Sequence, residues 1–246
     1  MSITAPPAAA TTTPATDPLR RTSRTAGICY LITFVSMPTL ALYQGMHDRA
    51  DFVLGAGSDT GVLWAALSEV IVAVAGVGTA VVLFPVAKRQ SETAALGFVT
   101  SRVLEAAGIL LGVVAVLTLV SLRHDAAGAD QASLITTGHT LSAVYDNAFL
   151  LSQSLAPAVN ALCLGYIMYR SGLVPRILPT LGLIGAPLLL AADVLIFFGV
   201  LDRGAAIAAV AVAPVAIWEF SLGVYLTVKG FRPAAVAALP PARSVR

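Results

Sequence analysis

The stretch TSRVLEAAGILLGVVAVLTLV, Thr100–Val120, decides how the chain is read. It is apolar over about the 20 residues a helix needs to cross a bilayer, yet it carries Arg102 and Glu105. Comparable apolar blocks recur along the chain. Of its 246 residues, 57% are hydrophobic and only 11% charged, about half the charge of a soluble domain. The alternating segments of about ten residues that build a β-barrel are absent from the pattern, and so are the short scattered runs of a soluble core. The expected fold class is all-α: a polytopic integral membrane protein whose expected partner is the lipid bilayer.

Working outward, six spans are predicted at about 25–43, 62–87, 94–121, 146–169, 177–200 and 205–228. Residues 1–19, rich in Ala, Thr and Pro, read as a disordered tail. Residues 20–232 form the membrane domain, and 233–246 a loose C-terminal tail. The first apolar run has no small-residue cleavage site behind it, so it reads as a retained helix and not a signal peptide. The longest connection, about 122–145, contains DQASLITTGHTLSAVY, a candidate interfacial helix. Pro38, Pro157, Pro187 and Pro214 fall inside spans and are expected to kink them. Gly108 with Gly112, and Gly76 with Ala80, are pairs that let backbones approach.

Lys and Arg set the orientation. Arg20, Arg21, Arg24, Lys88, Arg89, Arg170, Arg176, Lys229, Arg232, Arg243 and Arg246 collect on one side, eleven against Arg49, Arg123 and Arg203 on the other. The excess of basic residues in cytoplasmic loops places both termini in the cytoplasm.

Five ionisable residues lie well inside the spans: Glu69, Arg102, Glu105, Asp193 and Glu219. Each costs about 2.5–3.5 kcal/mol at a helix centre and is expected to face the bundle interior and find a partner. Arg102 and Glu105 share one helix face. Counted from the cytoplasmic ends of their spans, Arg102 and Glu219 both lie about 12–15 Å deep. A guanidinium fork can serve two carboxylates, so Arg102 is expected to bridge Glu105 and Glu219, with Asn160 joining the network. Glu69 and Asp193 lie at matching depth on the outer side without a cation. They are expected to form a carboxylate pair that is protonated, faces a wet cavity or binds something.

Other chemistries find little footing. No basic cluster is dense enough for nucleic acid. His47, His124 and His139 lie in outer loops or at their edges, which removes haem ligation between helices and most intramembrane metalloprotease schemes. There is no G-x-S-x-G elbow, and GAGSDTG, Gly55–Gly61, lacks the Lys of a phosphate loop. Cys29 and Cys163 read as small packing residues. No cofactor, metal or catalytic residue is expected.

Four stretches are similar to a family of bacterial membrane proteins of unknown function, DUF4386: RTSRTAGICYLI (Arg21–Ile32), SRVLEAAGILLG (Ser101–Gly112), LCLGYIMYRSGLVPRIL (Leu162–Leu178) and WEFSLGVYLTVKGF (Trp218–Phe231). The likeness covers roughly residues 20–232 and implies a multi-span protein of the bacterial inner membrane. It brings no activity, ligand or site residue with it. Pro179 departs from the small residue expected at that position, which leaves the start of the fifth span open. The first expectation for function is a structural or interaction component of the cell envelope with an internal charge network. The alternative is a small transporter or ligand-binding membrane protein using the intramembrane carboxylates, and a membrane enzyme ranks third.

Overall fold

A computed structural model describes residues 18–36, 39–47, 52–55, 57–125, 128 and 130–240. Of the expected tail over residues 1–19, residues 1–17 lie outside the described residues, as does the proposed kink at Pro38, while Pro18 and Leu19 begin a helix, which corrects that end of the tail. The rest is helical: α1 (Pro18–Thr33), α2 (Thr39–His47), α3 (Thr60–Gln90), α4 (Glu92–His124), α5 (Gln131–Phe149), α6 (Leu155–Ser171), α7 (Ile177–Phe197), α8 (Ala206–Val228) and α9 (Pro233–Ala238). Short 3-10 turns occur at Phe34–Ser36 and Phe52–Leu54, and a π-helical turn at Leu150–Ser154.

Five of these helices are long and apolar enough to cross a membrane: α3, α4, the continuous Gln131–Ser171 rod, α7 and α8. They pack into a closed ring in which α4 touches α3, α5 and α6, α6 touches α7, α7 touches α8, and α1 joins α8 back to α3. Val74 and Val81 on α3 and Leu104 and Val114 on α4 point outward, more than half exposed. That much exposed apolar surface needs lipid against it. The chain is therefore an all-α, polytopic membrane protein.

Two spans differ from expectation. The first, expected as one helix over about 25–43, is divided: α1 ends in the Phe34–Ser36 turn and α2 resumes at Thr39. The fourth, expected to begin at about residue 146, begins at Gln131. The segment taken for a connection is the first part of a long rod packed along α4. Its polar face is compatible with a helix because Thr136, Thr137 and Thr140 donate their hydroxyls to backbone carbonyls four residues back. Asp130 caps the rod by accepting from the Ser133 amide at 2.9 Å.

The π turn has an identifiable cause. Pro157 has no N–H to offer the Gln153 carbonyl four residues earlier, and its ring crowds that carbonyl. The ladder widens there to i→i+5 bonding. Close backbone approach fixes the neighbours. A Cβ on Gly108 would stand 2.5 Å from the Ser152 Cβ, and one on Gly182 would stand 2.7 Å from the Trp218 ring. At the start of α7, Pro179 is accommodated in the first turn, where a backbone N–H has no helical partner to lose.

At the end of the bundle that holds Ser91, two arginines close helix C-termini. Arg20 donates to the carbonyls of Leu226, Thr227 and Val228 at 3.3, 3.2 and 2.7 Å. Arg89 donates to those of Leu239 and Pro240 at 3.1 and 2.7 Å. Cations at helix C-termini gain from both the free carbonyls and the helix dipole. This corrects the expectation of a loose tail from residue 233: Pro233–Ala238 is a helix held by Arg89, and Leu239 is buried. Residues 241–246 lie outside the described residues.

Candidate functional site

The ring interior is polar at two levels. Nearer the Ser91 end, Arg102 is 2% exposed. Its Nη1 donates to Glu105 Oε1 and Oε2 at 3.2 and 3.0 Å, and its Nη2 to Glu219 Oε1 at 2.5 Å. Asn160 Nδ2 donates to Glu105 Oε2 at 2.6 Å. The guanidinium also lies 5.2 Å from the Tyr30 ring and 5.7 Å from the Phe98 ring, close enough for cation–π attraction. Side chains from α1, α4, α6 and α8 thus converge on one cation. Arg102 Nε and Asn160 Oδ1 are buried without a partner.

Toward the His124 end, Glu69 is fully buried on α3. It accepts from Tyr145 Oη at 2.7 Å, Gln153 Nε2 at 2.9 Å and Tyr43 Oη at 3.2 Å. The two tyrosine rings meet edge to face with centroids 5.0 Å apart. Three neutral donors from α2, α5 and the π turn satisfy this carboxyl group.

Asp193 on α7 stands differently. It is 1% exposed and accepts one bond, from Ser154 Oγ at 2.6 Å. Its Oδ2 has no partner. No hydrogen bond links Glu69 to Asp193 among the described residues; each carboxyl group is taken up by other partners. The π turn stands between them, with Gln153 turned to Glu69 and Ser154 to Asp193. Equal depth on two helices does not make neighbours when a third helix lies between. The expected lack of a cation is corrected, since Arg203 lines the same cavity as Asp193. Arg203 is engaged by Asp146, through the backbone carbonyl at 2.7 Å and Oδ1 at 3.4 Å, and lies 5.7 Å from the Phe149 ring.

Two cavities border these groups. One of about 640 Å³ lies between the π turn, α7 and α8, with Asp193 and Arg203 in its wall. The other, about 190 Å³, is lined by Arg102, Glu105 and Glu219. Gln153, Ser154, Leu189 and Val212 line both.

A family model, described as the domain of unknown function DUF4386, matches residues 25–230. The chain belongs to the DUF4386 family. No curated protein and no solved structure matches it. Three of the four stretches that carry the DUF4386 likeness meet at Arg102, supplying Tyr30, Arg102 with Glu105, and Glu219. The remaining stretch, around the α6–α7 corner, buries Leu173 and Val174 completely, and the Leu173 carbonyl accepts from the Arg232 amide at 2.9 Å.

The site residues to which the sequence reading gives no place in the ring interior are Tyr43, Tyr145, Gln153, Ser154 and Arg203. A usable signal existed for two of them. Tyr145 and Gln153 are eight residues apart, near one helix face, and Gln153 stands four before Pro157, where a helix ladder is expected to open. Arg203 carried no such signal, because the way its loop folds back over α5 follows from the α7–α8 packing.

Proposed function

We propose that the protein binds a small ligand inside its helix ring, in the manner of a transporter or a ligand-binding membrane protein. The observation that carries this reading is Asp193: a buried carboxylate with an unpartnered oxygen on the wall of a cavity of about 640 Å³. That volume falls in the range of small-molecule sites, and a buried polar group left unpaired calls for an explanation. In this reading the chain binds its ligand without transforming it.

The reading includes six crossings, with both termini in the cytoplasm. The divided α1–α2 column supports the sixth, since it fills the gap in the ring between α8 and α3. The eleven-to-three split of Lys and Arg supports the orientation. A place in a bacterial inner membrane is what the family likeness implies. A reporter fused after Arg246 or inserted at Lys88 should then read cytoplasm, and one near Gly128 the exterior.

A second reading, a structural or assembly component of the cell envelope, draws on the Arg102 cluster, whose contacts join four helices. One experiment separates the two. Purified protein is screened for thermal stabilisation by a broad solute library, because a ligand that binds the native state raises its stability by mass action. Stabilisation by one solute class, lost in Asp193→Asn, supports the interior site. Stabilisation by none, together with co-purification of a stoichiometric partner, supports the envelope component.

A further inference from the structure

The larger cavity is apolar apart from a few groups. Phe149, Leu189, Ile196, Ala208 and Val212 supply most of its wall. Asp193 is part of its wall, with one carboxylate oxygen bound to Ser154 and the other buried without a partner. An ionised carboxylate can accept about four hydrogen bonds, and such a group in apolar surroundings must be neutralised by a proton or matched by a cation. The cation on the same wall, Arg203, has its guanidinium turned to Asp146.

We propose that this cavity takes a protonated amine carried on an apolar body, with the ammonium group bound to Asp193 Oδ2. The inference rests on the reading of the ring as a ligand-binding interior and adds the chemical class of the ligand. An ammonium supplies both the charge and the donors that Oδ2 lacks. The apolar wall accepts an aromatic or branched alkyl body and repays its transfer from water. A calcium ion fits poorly, because it takes six to eight oxygen ligands and the side-chain oxygens of the wall are those of Asp193, Ser154 and Gln153. A carboxylate ligand would meet Asp193 as a like charge. A hydrocarbon chain alone would leave Oδ2 unsatisfied.

The test uses the full chain in lipid nanodiscs and three probes of one shape: 4-phenylbutylamine, 4-phenylbutanol and 4-phenylbutyrate. Thermal shift and calorimetric titration are the readouts. The amine is expected to bind and raise the melting temperature, and the alcohol and the acid are not, at equal concentration. Asp193→Asn should weaken amine binding by about tenfold or more, the loss of one charge-assisted hydrogen bond. Ala208→Leu, which fills part of the cavity and leaves Asp193 in place, should weaken it as well, and it stands as the test if Asp193→Asn does not fold. Equal binding of alcohol and amine would overturn the proposal by showing partition into lipid. Amine binding unchanged in both variants would overturn it by placing the amine elsewhere. If the amine fails while another solute class stabilises the protein in an Asp193-dependent way, the ligand class is wrong and the interior site stands. If no solute of any class stabilises the protein, both fall together.

Discussion

Arg102 and Asp193 are about equally buried, and their surroundings are opposite. Arg102 is held by Glu105 and Glu219 and flanked by two aromatic rings, with Asn160 on the Glu105 carboxylate. Asp193 has one serine hydroxyl and a cavity. A charge inside a membrane is expensive wherever it lies. Where opposite charges from two helices meet it, the charge fastens helices to one another. Where one oxygen is left without a donor, the fold offsets only part of the cost, and a ligand can offset more. Glu69 lies between the extremes: it has no cation, but three neutral donors close it off.

Substitutions grade this contrast. The largest effect is expected from Arg102→Ala, which leaves Glu105 and Glu219 without a cation. Breaking a buried pair on one side costs about 3–5 kcal/mol, so folded yield and melting temperature should drop sharply. Arg102→Lys should recover part of the loss, because a point ammonium cannot fork between two carboxylates. Arg102→Ala combined with Glu105→Gln and Glu219→Gln should recover more. If Arg102→Ala melts with the parent, the cluster is not what fastens α4 to α8. Next, Glu69→Leu takes the shared acceptor from Tyr43, Tyr145 and Gln153 at once and should cost about 3 kcal/mol, at about one for each of the three donors. Glu69→Gln keeps an acceptor and should cost less. Chemical or thermal melts in detergent check both. Gly108→Ala forces a methyl group against Ser152 and should cost about 1–3 kcal/mol by overpacking. Its effect should be the same in the presence and absence of any interior ligand.

The smallest effect lies outside the ring. Backbone and side-chain bonds from Ser133 hold the Asp130 carboxyl below the ordinary aspartate value. A group whose folded value is lowered stabilises the fold above its unfolded value, here near 3.8. It loses that contribution as pH falls through the lowered one. Asp130→Ala should therefore speed amide exchange in the first turn of α5 at neutral pH. The difference from the parent should vanish once the pH is below the lowered value. A difference that persists at low pH would show that the cap acts through something other than the ionised carboxylate.

Much of this was legible beforehand, and for physical reasons. The long helices announce themselves because lipid forces apolar runs of fixed length. Arg102 and Glu105 declare their contact through i,i+3 spacing, and Glu219 through depth. Two boundaries were hidden. The rod starting at Gln131 extends past its apolar half on Ser and Thr, which an apolar window reads as loop. The first span turns from α to 3-10 geometry at Phe34–Ser36, whereas the apolar run continues unbroken. Lateral arrangement was hidden too. Depth counts say how far along a helix a residue lies and nothing about which helix stands beside it, which is why Glu69 and Asp193 were paired in expectation and are separated by the π turn in the structure. The place of Arg203 in one wall with Asp193 was hidden for the same reason.

The contrast between the fastened charge and the open one comes down to two variants of similar chemistry. Arg102→Gln and Asp193→Asn each remove one formal charge and keep a polar side chain, and their melting temperatures in the same detergent can be compared side by side. Arg102→Gln should melt lower than the parent by on the order of 10 °C, because two carboxylates lose their cation. Asp193→Asn should melt with the parent or above it, because it removes a charge whose Oδ2 meets no hydrogen-bond donor. If Asp193→Asn falls as far as Arg102→Gln, Asp193 is structural glue like Arg102, and the cavity beside it is not a site kept for a ligand.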